Sequence, residues 1–346
     1  MSNSVNPKSD RQLAALSGLA IVLVVVGHAT AALPDRAVRI AAVSPAYALF
    51  LQVVAWIYTF HMPLFMVLSG YHYERYTRRS GAPYLEFVRS KARRLLLPYF
   101  AISTVAYPIK AALSDLAMRP AQFSLAAYAK SLLVPWTNPI IFFWFLPTLF
   151  LCLLVAPVLA RRERFRGEQL VVFAVLVLLW RIFPHTNRYG LAGFVNVGGA
   201  LHNLVFFYSG ILAARHDLPN RARHPEWGAV LLLALSVALF LIVPDLAWPQ
   251  LPLAFAGIGC SFLSAYSLKG AALKVFAAIG DYSYSIYLLS WFPIVFVRIA
   301  TRAMPDKDML GAVLLSIVGG LLVPMLAVRL LGQRAPRPLR AIIGAA

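Results

Sequence analysis

The chain has 346 residues, of which 60% are hydrophobic and only 13% charged, where soluble domains carry about 25% charge. So few charges cannot cover a globular surface, so most of the outer surface faces lipid. The net charge of +19 does not by itself mark a nucleic-acid binder, because basic residues also gather on the cytoplasmic side of membrane proteins.

The N-terminal "MSNSVNPKSDRQ" is polar, and the apolar run after it is too long for a signal-peptide core. It reads as a retained membrane helix. A spanning helix needs about 20 mostly apolar residues. Ten stretches qualify: Leu13–Ala32, Tyr47–Tyr71, Leu95–Leu113, Ile140–Ala160, Leu170–Pro184, Phe194–Ala214, Trp227–Val243, Leu251–Leu268, Val275–Ile299 and Leu310–Leu331. The longest gap between them, Ser114–Asn138, contains "FSLAAYAKSLLVPW", an amphipathic segment expected at the outer interface. No soluble domain and no internal repeat stands out, so residues 1–346 form a single expected domain. Cys152 and Cys260 lie in apolar runs without a CxxC or Cys/His cluster, so neither a disulfide nor a metal is expected.

Charge orients the spans. With the N-terminus in the cytoplasm, 22 of the 32 Lys and Arg fall on the cytoplasmic side, loop after loop. Both termini are therefore expected in the cytoplasm, and anionic lipid contact adds to the effect.

Ionisable groups inside a membrane are costly and raise functional hypotheses. His28 closes the first apolar run, "LAIVLVVVGHA", near its outer end. Position alone leaves two readings, a neutral histidine bonded to a backbone carbonyl or a working imidazole. His61 lies near the middle of the second span, in "FHMPLFMVLSG". Pro63 removes a backbone hydrogen bond there, so a kink with His61 satisfying freed carbonyls is the plainer reading. No carboxylate lies deep in a span, since Glu74 and Asp281 sit at helix ends. A His–Asp dyad and a carboxylate proton relay are both absent from the pattern. In "EFVRSKARRLLLPYF", Arg89, Lys91, Arg93 and Arg94 crowd the cytoplasmic approach to the third span. This is an ordinary positive flank unless the helix begins early; then Lys91 and Arg94 share a face and could grip phosphates.

"SGLAIVLVVVGHA", "FHMPLFMVLSGY", "KARRLLLPYF", "FWFLPTLF" and "IGDYSYSIYLL" follow one another in an order and spacing that resembles the membrane acyltransferase 3 family, most nearly its fucose O-acetylase-type sugar O-acetyltransferases. The resemblance implies an all-α polytopic protein of the inner (plasma) membrane. It would move an acyl group, usually acetyl, from cytoplasmic acyl-CoA to a hydroxyl of an extracytoplasmic carbohydrate or envelope glycan. It implies no bound cofactor, with acetyl-CoA or another acyl-CoA as co-substrate, and no nucleic acid among the partners. By the same resemblance His28 is the catalytic base, and Lys91 and Arg94, with Arg93 and Arg89 beside them, bind the acyl donor. Ser17, His61, Ser69, Gly70 and Tyr284 are implied pore- or substrate-lining positions. Two positions depart from the family pattern. Ser17 stands where a basic residue usually precedes the histidine by about three helical turns, and Ser290 stands where a histidine often follows Tyr-Leu-Leu. Those departures keep a second reading open, a non-catalytic or transporter- or flippase-like member. The orientation is checked by reporter fusions, which should place the C-terminus in the cytoplasm; an external C-terminal reporter would refute the charge argument.

Overall fold

The computed structural model describes residues 7–29, 34–77, 80–114, 120–161, 166–183, 190–242, 250–332 and 334–345. Among them every regular element is helical. In chain order these are α1 (Pro7–His28), α2 (Pro34–Val43), α3 (Pro45–Tyr58), α4 (His61–His72), α5 (Tyr84–Ala112), α6 (Leu125–Leu133), α7 (Phe145–Leu159), α8 (Arg166–Ile182) and α9 (Gly190–Gly193). There follow α10 (Val197–Arg215), α11 (Pro225–Ile242), α12 (Gln250–Ser267), α13 (Gly270–Asp281), α14 (Ser283–Leu289), α15 (Trp291–Ala300), α16 (Met309–Leu331) and α17 (Arg337–Ile342). Backbone groups in hydrocarbon have no water to bond, and helices satisfy them internally.

Among the described residues seven helical stretches are long and apolar enough to cross a membrane, and eight if the bent α14–α15 pair forms one span. Ten were expected from the sequence, a number that this count neither confirms nor overturns: α8 and α12, helices of 17 and 18 residues, coincide with the other two expected stretches. α8 opens with Arg166, Gly167 and Glu168, which shortens the apolar part of its 17 residues. α12 spreads serines and glycines along its 18 residues, "QLPLAFAGIGCSFLSAYS". The run expected as one helix over Val275–Ile299 is cut at Tyr282 and again at Ser290, where α14 and α15 bend by 44°. Pro293 lacks the N–H that would bond the Leu289 carbonyl, which accounts for the second cut. Pro63 does the same to the Thr59 carbonyl and separates α3 from α4. By contrast α6 falls within the stretch expected to lie at the interface. Ser124 caps it by accepting from the Ala127 N–H at 3.4 Å, and Phe123 and Leu125 are exposed.

The helices group into two compact units: Met1–Phe65 with Leu218–Arg334, and Met66–Asp217 with Ala335–Ala346. In the first unit α1 is the central helix, with Leu16, Ala20, Ile21, Val24 and Val25 fully buried. It meets α13 backbone to backbone. A Cβ on Gly18 would lie 1.9 Å from the Phe276 carbonyl oxygen, and one on Gly280 would lie 1.8 Å from that of Ala14. Helix pairs in membranes gain their contact from such small residues, because lipid offers no hydrophobic drive for association. Gln12 ties the start of α1 to the Tyr266 carbonyl at 2.9 Å. Trp56 of α3 donates to the Ser236 hydroxyl of α11 at 2.9 Å. Arg36 of α2 binds Asp306 at 2.8 Å and the Arg302 and Met304 carbonyls, which pins the connection between α15 and α16.

The second unit repeats the glycine device. A Cβ on Gly70 of α4 would come within 1.9 Å of the Phe207 carbonyl oxygen, and one on Gly210 of α10 equally close to that of Val67. Beyond Gly70 the chain widens into a π-helical turn, Tyr73–Thr77. This turn holds Glu74, which is 4% exposed, against Arg215 of α10 at 3.4 Å. Arg215 also donates to the Ala160 carbonyl at 2.9 Å, closing the end of α7. Trp136 donates to Asn196 at 3.0 Å, and Asn196 donates to Thr148 at 2.6 Å. These bonds hold Val195 and Asn196 in the left-handed region at φ 43° and 60°, a rare conformation for a β-branched residue.

The glycine contact in the first unit is the testable element. Gly18→Val or Gly280→Val should lower stability in detergent by roughly 1–3 kcal/mol or more, read as a fall in Tm. Gly311→Ala, where a Cβ meets nothing within 4 Å, should leave it unchanged or raised.

Candidate functional site

α1 ends at His28 because the apolar run stops there, and its last carbonyls lack intrahelical donors. Tyr58, the last residue of α3, supplies one: its hydroxyl donates to the Gly27 carbonyl at 3.2 Å. Gly27 permits this approach, since a Cβ there would be 3.1 Å from the Tyr58 ring. A positive or polar group at a helix C-terminus faces the negative end of the helix dipole, which suits an imidazole.

His61 reaches the same place from the α3–α4 break. Thr59 and Phe60 turn tightly, and the Phe60 ring presses on Gly257 of α12, where a Cβ would be 2.4 Å away. This puts the buried His61 ring edge-on to that of His28, with centroids 6.2 Å apart, and Tyr58 lies 4.8 Å from His61 and 6.4 Å from His28. His61 Nδ1 is 3.0 Å from the Ile57 carbonyl oxygen. A carbonyl only accepts, so Nδ1 carries the hydrogen and Nε2 keeps the lone pair. The two histidines, separated by 33 positions in the sequence, therefore form one cluster with Tyr58 in the first unit. Sequence reading missed Tyr58; its signal is an aromatic hydroxyl at the end of an apolar run, just before the His-Met-Pro segment.

The remaining expected positions divide between packing and exposure. Ser17 donates to the Leu13 carbonyl of its own helix at 3.1 Å, beside the Gly18 crossing. Ser69 is half-buried, and Gly70 faces the α10 backbone, where its lack of a side chain serves helix packing. Tyr284 is half-buried in α14. Ser290 is fully buried at the α14–α15 bend.

α5 begins at Tyr84, well ahead of the basic run, so Lys91 and Arg94 do share a helix face. The 29 residues of α5 reach about 43 Å at 1.5 Å per residue, against about 30 Å of hydrocarbon in a bilayer. The basic run lies in the first half of α5, ahead of its apolar part. Lys91 is half-buried with its ammonium 5.5 Å from the Phe87 ring centre, while Arg89, Arg93 and Arg94 are exposed. Among the described residues no group of three or more His, Cys, Asp or Glu side chains is placed to hold a metal ion. Cys152 and Cys260 are free thiols.

An all-helical polytopic chain with a histidine cluster at the end of its central helix belongs to the membrane-embedded class of proteins. The comparisons narrow this. The acyltransferase domain model matches residues 11–329, across both units, and the chain belongs to the acyltransferase 3 family. No curated protein and no solved structure matches the chain significantly. It is a multi-pass membrane acyltransferase, with an acyl donor and an acceptor as its substrates.

Proposed function

We propose that this acyltransferase moves an acyl group, acetyl in the first instance, from cytoplasmic acyl-CoA to a hydroxyl of an extracytoplasmic carbohydrate or envelope glycan, at the inner (plasma) membrane. The observation that carries the reading is the His28 cluster: an imidazole at the α1 terminus, edge-on to a second imidazole whose hydrogen is held by a backbone carbonyl. In this reading His28 is the general base. It takes the proton of the acceptor hydroxyl as that oxygen attacks the thioester carbonyl. The carbon–sulfur bond then breaks, and the proton passes from the imidazolium to the leaving thiolate, giving CoA and the ester. General-base assistance of this kind is worth roughly 10²–10⁴-fold. His61 and Tyr58 fix the surroundings of His28. Tyr284, in the same unit as His28, belongs to the proposed lining, with its role unassigned.

Lys91 and Arg94 are proposed to bind the phosphates of the acyl donor, with Arg89 and Arg93 adding positive charge. Their common face and their place ahead of the apolar part of α5 support this. A membrane protein without catalysis, or one of the transporter type, is the second reading. It is favoured by Ser17, whose hydroxyl is turned onto its own helix where the family pattern has a cation.

Acetyl-CoA turnover by the purified protein separates the two readings. His28→Gln keeps size and hydrogen bonding but cannot take a proton at neutral pH, so turnover should fall by at least about 100-fold. A rate near that of the wild type would remove His28 from the chemistry, and no turnover in either the wild type or Ser17→Arg would favour the non-catalytic reading. Lys91→Ala with Arg94→Ala should raise KM for the acyl-CoA with a smaller change in kcat, because phosphate contacts persist from ground state to transition state. An unchanged KM in the folded double variant would contradict the donor role.

A further inference from the structure

Three helices of the first unit meet at Gly320. A Cβ there would lie 2.9 Å from Val25 Cγ1 of α1 and 3.2 Å from Ile294 Cδ1 of α15. α15 and α16 are joined by a compact connection containing one 3-10 turn, Asp306–Asp308, so they run antiparallel. α1 also opposes α16: Val25 meets Gly320, while Ala29, one turn on, packs with Ala312 and Val313. One turn from the meeting point, in the same direction along all three helices, stand Arg298 on α15, Ser316 on α16 and His28 on α1. Helical side chains lie over the turn before their own Cα, so Arg298 and His28 lean back toward the Gly320 level.

This layer holds polar groups that the fold leaves unsatisfied. Ser316 and Ser290 are fully buried, and their hydroxyls, like the buried Nε of Arg298, have no hydrogen-bond partner among the described residues. Hydroxyls within these helices ordinarily donate to the carbonyl one turn back, as Ser17, Thr148, Ser209, Ser261 and Thr301 do. Ser316 and Ser290 do not. A guanidinium in apolar surroundings is costly unless an anion meets it. Asp306, near the same end of α15, is committed to Arg36 at 2.8 Å.

We propose that Arg298, with Ser316 at the same level of the facing helix and Ser290 two turns before it in the chain, binds a carboxylate or phosphate group, and that the acyl acceptor carries this anion. The planar guanidinium fork matches both oxyanions. Arg298 lies toward the His28 end of α1, opposite the end that carries Arg11, which on the charge-based orientation is the side away from the cytoplasmic donor. The naming of the anion's bearer rests on the acyltransferase reading, whereas the anion site rests on the packing alone. The acceptor is then an acidic sugar or a phosphorylated glycan, and the anion holds its hydroxyl near His28.

The test is binding to the purified full chain in neutral detergent at constant ionic strength, followed by Tm and by titration. The probes are glucuronate, glucose 6-phosphate and glucose. Glucuronate or glucose 6-phosphate should raise Tm, and glucose should not. Arg298→Gln should weaken that binding roughly ten- to hundred-fold, with Arg298→Lys between the two. Arg302→Gln, an exposed arginine at the same end, should bind as the wild type does. Should Arg298→Gln fail to fold, Ser316→Ala carries the test and should weaken binding several-fold. Reconstitution into phosphatidylglycerol or phosphatidylcholine vesicles identifies the source. Stabilisation by phosphatidylglycerol alone, lost in Arg298→Gln, would uphold the anion site and overturn its assignment to the acceptor. Equal effects of glucose and glucuronate, or equal binding by Arg298→Gln and wild type, would overturn the site itself. Anion binding intact in a protein without acetyl-CoA turnover would keep the site and remove only the transferase reading.

Discussion

The backbone contact between α1 and α13 is the constraint on which the first unit depends. Lipid gives two helices no reason to associate through apolar side chains, so close approach has to come from shape. Gly18 and Gly280 provide it, each facing a carbonyl oxygen of the other helix at a distance that no side chain fits. α1 touches α3, α12, α14 and α16 as well as α13, so fixing one side of it fixes the level at which His28 meets the other helices. In the second unit Gly70 and Gly210 do the same for α4 and α10. There the buried Glu74–Arg215 pair adds a polar lock at the end of the contact.

The polar chemistry appears where helices are interrupted. Pro63 frees the Thr59 carbonyl and Pro293 that of Leu289; the regular helix is interrupted near both, with a 44° bend at the second. Beside the first break His61 bonds the Ile57 carbonyl, which also accepts from the Phe60 N–H, and Tyr58 donates to the Gly27 carbonyl at the end of α1. At the second, Ser290 is buried without such a bond. Irregular backbone at membrane depth is tolerated where protein surrounds it, and both breaks are surrounded. The same residues thus satisfy the fold and furnish the imidazoles and hydroxyls of the site.

Much of this is legible in the sequence, because hydropathy reports lipid exposure directly. The all-helical membrane fold, the family and the break before Pro63 can be read from residue types and spacing; His61 does bond a backbone carbonyl, but that of Ile57 rather than the Thr59 carbonyl that Pro63 frees. The number of spans is not legible in the same way. α8 and α12 are shorter or less apolar than the other long helices, because each mixes polar or small residues into its run. Nor does the sequence show that Val275–Ile299 is cut in three: Tyr282 at the first cut reads as an ordinary helix residue, and Pro293 beside the second is equally compatible with a kinked continuous span. Gly70 reads as part of a lining motif, yet its partner is the carbonyl of Phe207, far away in the chain. Tyr58 and Ser316 gain their meaning only from neighbours that the fold supplies. Arg298 carries a one-dimensional signal, a charge inside "WFPIVFVRIA", but its unpaired Nε becomes visible only in three dimensions.

The length of α5 has one more consequence. A helix that outreaches the hydrocarbon adapts to a thinner or thicker bilayer mainly by tilting or by kinking, and Pro98 and Pro108 inside α5 give it two places to bend. Hydrophobic mismatch therefore shows up as a change in the depth and angle of the basic face. The acyl-chain length of the host lipids becomes a variable that sets how Lys91 and Arg94 stand to the headgroups.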